Sequence, residues 1–208
     1  MTMDAKRIEI VSQSDVHAVA FAEESQVVGG HANGDIRRWK ISDGQQQGPA
    51  MQAASAVESV AVSQDGHWMV TGTGDGSHTR IVWNATIHKK VHEFTEHRGW
   101  VTGLDISRDC TMFATADYLN AEIFSITSGI RLLPPLPHHS IADIKFSPDD
   151  SRFATASETR GFRVYSTHDG SILFDSGQSG STAVVRREQR QSHLFRPFLV
   201  IVFRMVDP

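Results

Sequence analysis

The sequence is poor in several things that would narrow its function. It has one cysteine, Cys110, so an internal disulfide is excluded, and this usage fits a reducing compartment. It has no surplus of positive charge: 20 Lys and Arg stand against 24 Asp and Glu, a formal charge of −4. A phosphate-neutralising surface needs the opposite sign, so nucleic acid is not expected as a partner. It has no long hydrophobic run. The longest apolar stretch, 194–206, is broken by Arg196, Pro197 and Arg204, whereas a membrane-spanning helix needs about 20 apolar residues. No membrane association is expected. The opening residues MTMDAKRIEIVSQ have neither the apolar core nor the small-residue cleavage site of a secretory signal. The expected location is therefore cytoplasmic or nuclear, not secreted.

Catalytic patterns are also lacking. There is no G-x-S-x-G nucleophile element, no His-Glu-x-x-His and no paired-cysteine spacing. The 11 histidines are scattered, and His138-His139 is the one adjacent pair. Residues 72–76, GTGDG, look like a phosphate loop but carry no lysine and precede no helical pattern, so they read as a β-turn. Asp149 and Asp150 sit in a turn, where Asp is favoured for backbone reasons. No catalytic residues, metal ligands or cofactor are expected, and the chain reads as a non-enzyme.

What the chain does have is a period. A short β-type phrase opens at Val16, Val57, Val101 and Ile141, with spacings of 41, 44 and 40. A second phrase ends in an aromatic at Trp39, Trp83, Phe124 and Tyr165, with spacings of 44, 41 and 41. Two markers on one beat predict a stack of like supersecondary units. In the second unit, residues 57–63, 67–73, 79–84 and 90–95 read as strands separated by turns such as Gln64-Asp65-Gly66. The other units follow the same plan, and no part of the body holds a period of 3.6. The fold predicted is all-β, with four small four-stranded antiparallel sheets.

The phrases IKFSPDDSRFATAS…GFRVYS, VAVSQDGHWMVTGTGDG…RIVWN and FTEHRGWVTGLDIS resemble the WD40-repeat family. The resemblance covers about residues 7–175. It implies a β-propeller of four-stranded blades, here a partial or small one of four blades plus the start of a fifth. The repeats run about 7–41, 48–84, 90–126 and 131–166, with a closing strand at 171–175. The tail, 176–208, starts a fifth repeat at 181–185 and then leaves the pattern, with five Arg against Glu188 and Asp207. That break predicts a shortened form of a longer propeller, with open flanks prone to self-association.

The family's buried tetrad joins a His before the first strand, a Ser or Thr on the second, an Asp in the second turn and a Trp on the third. This chain departs from it in every unit. His97 fills the His slot of unit three, but Phe124 replaces Trp, and Tyr118 stands where the turn Asp is expected, with Asp117 beside it. Unit two has Asp75 and Trp83, with Ala53 and Ala54 in the His slot. Unit four has His138 and Tyr165, and unit one has Asn33 and Trp39. Blades held mainly by apolar packing are expected.

The resemblance also implies a function: a non-catalytic scaffold for protein or peptide partners. The alternatives are an architectural or sensor segment of a larger multidomain signalling protein, a truncated product without independent function and, last, a propeller-framed enzyme. In the family the loops before the first strand and after the second share one face. Here they hold His17, His31, Asn33, His78, Arg98, Trp100, Tyr118, His139 and Arg160. Aromatics and Arg are the commonest interface anchors, so Trp100, Arg98, Tyr118, Arg160 and His78 are the partner-binding candidates. Two readings remain open for the aromatics. They are anchors, or Trp100 packs on the next blade and Tyr118 fills the lost Asp slot.

Overall fold

A computed structural model of the chain describes residues 14–74, 79–95 and 99–177. The residues described form sixteen strands and no helix. The first sheet contains β1 (Val16–Ala22), β2 (Gln26–His31), β3 (Asp35–Lys40) and β4 (Met51–Gln52). The second contains β5 (Val57–Val62), β6 (Trp68–Thr73), β7 (Arg80–Asn84) and β8 (Lys89–Phe94). The third contains β9 (Gly103–Ile106), β10 (Met112–Ala116), β11 (Asn120–Ser125) and β12 (Leu136–Pro137). The fourth contains β13 (Ile141–Phe146), β14 (Arg152–Ser157), β15 (Gly161–Ser166) and β16 (Ile172–Asp175). Each sheet is an antiparallel meander in chain order. The sheets are offset from the sequence repeats, because the strand that opens a repeat closes the preceding sheet. The expected strand at 7–12 and the fifth-repeat start at 181–185 lie outside the described residues.

The first turn of each sheet shows why the meander forms where it does. In sheets two to four, a Ser hydroxyl donates to an Asp two residues on: Ser63 to Asp65 (2.5 Å), Ser107 to Asp109 (2.7 Å) and Ser147 to Asp149 (2.6 Å). The same hydroxyls accept the amides of Trp68, Met112 and Arg152 at the start of the next strand. The residue after each Asp is left-handed: Gly66 (φ 68°), Cys110 (φ 60°) and Asp150 (φ 58°). Glycine takes that conformation without a Cβ penalty, whereas a non-glycine residue costs roughly 1–2 kcal/mol.

Two fourth strands are only two residues long, and their sequence explains it. Gly48-Pro49 precedes β4, and Pro134, Pro135 and Pro137 flank or enter β12. A proline has no N–H for the ladder. β8, without proline, runs six residues and pairs along β7.

The sheets stack in chain order through their first strands, with β1 against β5, β5 against β9 and β9 against β13. Each junction buries an apolar cluster. The first joins Val28, Ile36 and Met51 to Val57, Met69, Ile81 and Trp83. The second joins Val70 and Val82 to Leu104, Phe113 and Phe124. The third joins Ala114, Ala121 and Ile123 to Ile144, Phe153 and Tyr165. The backbones approach closely here: a Cβ on Gly103 would lie 2.9 Å from the Ile144 amide nitrogen.

The repeat-ending aromatics Trp39, Trp83, Phe124 and Tyr165 are all buried in these sheets. Among the described residues, two hydrogen bonds of the tetrad are seen. Trp83 Nε1 donates to Thr71 Oγ1 at 2.9 Å, and His138 Nδ1 lies 2.7 Å from Thr155 Oγ1. Asp75 and His97 lie outside the described residues.

Beside its apolar cluster, the second junction also carries a buried ion pair that the sequence reading did not anticipate. Arg80, fully buried, donates to Glu122 Oε2 at 2.6 Å and to Thr115 Oγ1 at 3.0 Å. Arg131 reaches the other carboxylate oxygen at 3.1 Å. The Arg80 guanidinium lies over Phe124 (4.8 Å to the centroid) and Phe94 (5.5 Å). Where the repeat has Phe for Trp, the third sheet's Thr takes its hydrogen bond from a neighbouring sheet.

Candidate interaction surface

Antiparallel pairing places the approach to each first strand at the same end as the turn between the second and third strands. Ala116 pairs with Gly103, and Ser157 with Ile141, so residues 99–102 and 117–119 share an end with 139–140 and 158–160. Close contacts tie these segments into one rim. A Cβ on Gly99 would lie 3.8 Å from Tyr118 Cβ. The Ser140 amide donates to the Tyr118 carbonyl (2.7 Å), and the Glu158 amide donates to Ser140 (2.9 Å). Ser157 Oγ donates to the His139 carbonyl at 2.6 Å.

On this rim Trp100 is 44% exposed and Tyr118 58% exposed, and His139 and Arg160 are also exposed. The Tyr118 ring therefore does not fill the Asp slot. Asp117 does so instead: it is buried, and its Oδ1 accepts the amides of Leu119 and Asn120, both at 2.7 Å. Asn33 has the matching place in the first sheet, where its Oδ1 accepts the Asp35 amide at 3.0 Å. His17 Nδ1 lies 3.2 Å from Glu58 Oε1, linking the first two sheets. His31 is buried, its ring 5.7 Å from Trp39. Arg98 and His78 lie outside the described residues.

The inner wall carries a second polar group. Asp105 of β9 accepts the Phe146 amide of β13 at 2.8 Å, and Lys145 Nζ lies 3.6 Å from Asp105 and 3.9 Å from Asp143. Burial pushes both carboxyls above the usual range, and the Lys145 charge pulls them back in part. Among the described residues no three His, Cys, Asp or Glu side chains form a set that could hold a metal ion. A depression at the opposite end, lined by Gln64, Arg108, Pro148 and Asp150, is wide open.

The partner-binding candidates were read from loop position. Arg80, Glu122 and Arg131 were missed. The signal was an Arg and a Glu inside otherwise apolar third strands, RIVWN and AEIFS.

The WD domain, G-beta repeat profile matches residues 49–78, 88–119 and 131–174. The chain belongs to the WD40-repeat family, and its four sheets are propeller blades. Among solved structures, the WD40 repeats of RRP9 match with a TM-score of 0.66 at 19% identity, over 78% of this chain and 51% of that one. U3-55K matches with a TM-score of 0.66 at 19% identity, over 78% of this chain and 52% of that one. The likeness is one of fold, and the chain spans about half the length of either structure. A search of curated proteins gives no match. WD40 propellers generally bind protein partners and are generally non-catalytic.

Proposed function

We propose that this chain is a non-catalytic scaffold that holds a protein or peptide partner on the rim bearing Trp100, Tyr118, His139 and Arg160. The observation that carries the reading is the exposure of two large aromatics next to an exposed Arg on one continuous rim. Rings and guanidinium groups bury large area at small entropic cost, and they dominate measured interface energies. The repeat body carries the chain's negative balance, which suits a basic or neutral peptide better than nucleic acid.

The immobilised chain, wild type and Trp100→Ala/Tyr118→Ala/Arg160→Ala, tests the reading. Specific partners recovered by the wild type are lost from the triple variant, while the circular dichroism spectra of the two coincide. The same partners recovered on both surfaces would remove these residues from the binding site.

A second reading, an architectural segment within a longer multidomain signalling protein, is favoured by the apolar outer faces of the first and last blades, which further blades would cover. It predicts that the rim substitutions change no binding.

A further inference from the structure

The fourth strand of the third blade carries more proline than a break in the ladder requires. The first blade shortens its fourth strand with Gly48 and Pro49, whereas the third has Pro134, Pro135 and Pro137 within four residues. Proline fixes φ near about −65°, and a residue that precedes proline is held extended. Residues 133–137 are thereby confined to the polyproline II region. The Leu132 amide still donates to the Ile123 carbonyl (2.8 Å), and strand pairing resumes where Leu136 meets Ala121.

A polyproline II helix has three residues per turn, so residues three apart share an edge. Burial follows that period. Leu133, 7% exposed, and Leu136, half-buried, form an inner edge. It faces the fourth blade, where a Cβ on Gly170 would lie 3.1 Å from Leu136 Cδ2 and 3.6 Å from Leu133 Cδ1. Pro134 and Pro137 form a second edge, and Leu132 and Pro135 a third. All four are exposed. Arg131, which begins the second edge, is turned towards Glu122 (3.1 Å) and lies over Phe124 (5.5 Å to the centroid).

We propose that this ridge docks a protein domain that reads polyproline II through a groove lined with aromatic rings. Such grooves take a proline step between flat rings, and they favour a ligand already fixed in the extended helix. The third blade supplies that fixation. Leu133 and Leu136 anchor the run, so docking orders few further residues. The structure also selects the edges. A groove that reads an Arg together with Leu133-Pro134 and Leu136-Pro137 would need the inner edge, which is packed on the fourth blade. A groove that takes the Pro134-Pro135 step, flanked by Leu132 and Pro137, needs only the two outer edges. The ridge lies on the perimeter of the third blade. It deepens the scaffold reading with residues other than Trp100, Tyr118 and Arg160.

The test is isothermal titration calorimetry of the full chain with a purified WW domain selected for Pro-Pro-Leu-Pro peptides. The wild type binds it saturably. Pro134→Ala/Pro135→Ala, with an unchanged circular dichroism spectrum, binds about tenfold or more weakly. Pro135→Ala alone serves should the double variant lose its spectrum, and it too is expected to weaken binding. Trp100→Ala/Tyr118→Ala/Arg160→Ala binds as the wild type does, so failure at the rim and failure at the ridge are read separately. An SH3 domain selected for Arg-x-x-Pro-x-x-Pro peptides, which needs the inner edge, does not bind the folded chain. A wild type that does not bind the WW domain would overturn the proposal. So would proline variants that bind as tightly as the wild type, loss of binding in the rim variant, or binding of the SH3 domain.

Discussion

Arg80 of the second blade and Glu122 of the third meet at 2.6 Å in a site that leaves Arg80 no exposed surface. Thr115, Arg131 and the rings of Phe94 and Phe124 lie around the pair. A buried ion pair is costly to form and far costlier to break on one side. Glu122→Ala, which strands the Arg80 charge, is expected to lower stability by about 3–5 kcal/mol. Arg80→Met/Glu122→Leu, which removes both charges, should recover most of that loss. Urea unfolding of the three chains measures the difference, and a double variant as weak as the single one would mean the pair itself is favourable.

Thr71 and Trp83 make one hydrogen bond of the tetrad in the second blade. Thr71→Val keeps the shape but leaves the buried indole N–H without its acceptor, at a cost of about 1–3 kcal/mol. Trp83→Phe removes the donor and leaves the Thr71 hydroxyl oxygen without the N–H it accepts. Chemical denaturation of both variants should place Thr71→Val below the wild type.

Cys110 and Gly66 occupy the same turn position in adjacent blades, both left-handed. Cys110→Gly is expected to stabilise the chain by about 1 kcal/mol, because glycine takes this conformation freely. Gly66→Ala should destabilise it by a similar amount, since its Cβ enters the disfavoured region. Thermal unfolding reads both, and opposite signs are the expected result.

His138 gives the fold a pH dependence near neutrality. Burial, and then the Arg163 charge, lower its pKa below 6.5, so the folded chain holds the neutral ring. The unfolded chain takes up the proton first. The contribution of His138 is therefore full above pH 6.5 and declines as the pH falls through 6.5 towards the depressed folded value. His138→Gln should flatten this part of the stability profile between about pH 7 and 5.

Asp149 and Asp169 act at lower pH. Hydrogen bonds from Ser147 and then Ser151 hold Asp149 at about 2, and those from Ser171 hold Asp169 at about 2. Their contributions are complete above 3.8 and fade as the pH drops through about 2. Carboxyl chemical shifts followed by NMR should show Ser147→Ala moving the Asp149 midpoint upward while Asp169 stays in place.

Strands and turns were legible in the sequence because both are local. A Ser, an Asp two residues on and a left-handed residue after it form a turn whose hydrogen bonds close within six residues, and the beat of these turns sets the strand lengths. The buried third-strand aromatics were legible for the same reason, as alternation fixes their face. The rim was legible in part. Loop position brought out Trp100, Tyr118 and Arg160, and their exposure favours the surface reading for Tyr118. That Asp117 rather than Tyr118 caps the turn depends on which side chain can reach two amides, and neighbouring letters do not carry that.

The sequence by itself determined the number of blades in the described body, their strand order and the faces their aromatics bury. Those properties depend on hydrogen bonds and alternation within some forty residues. Only the tertiary structure decided what lies between blades. Arg80 and Glu122 are 42 positions apart, and either alone would read as an exposed charge. Packing brings them together out of solvent, where Thr115, Arg131 and two aromatic rings give the two charges partners in place of water.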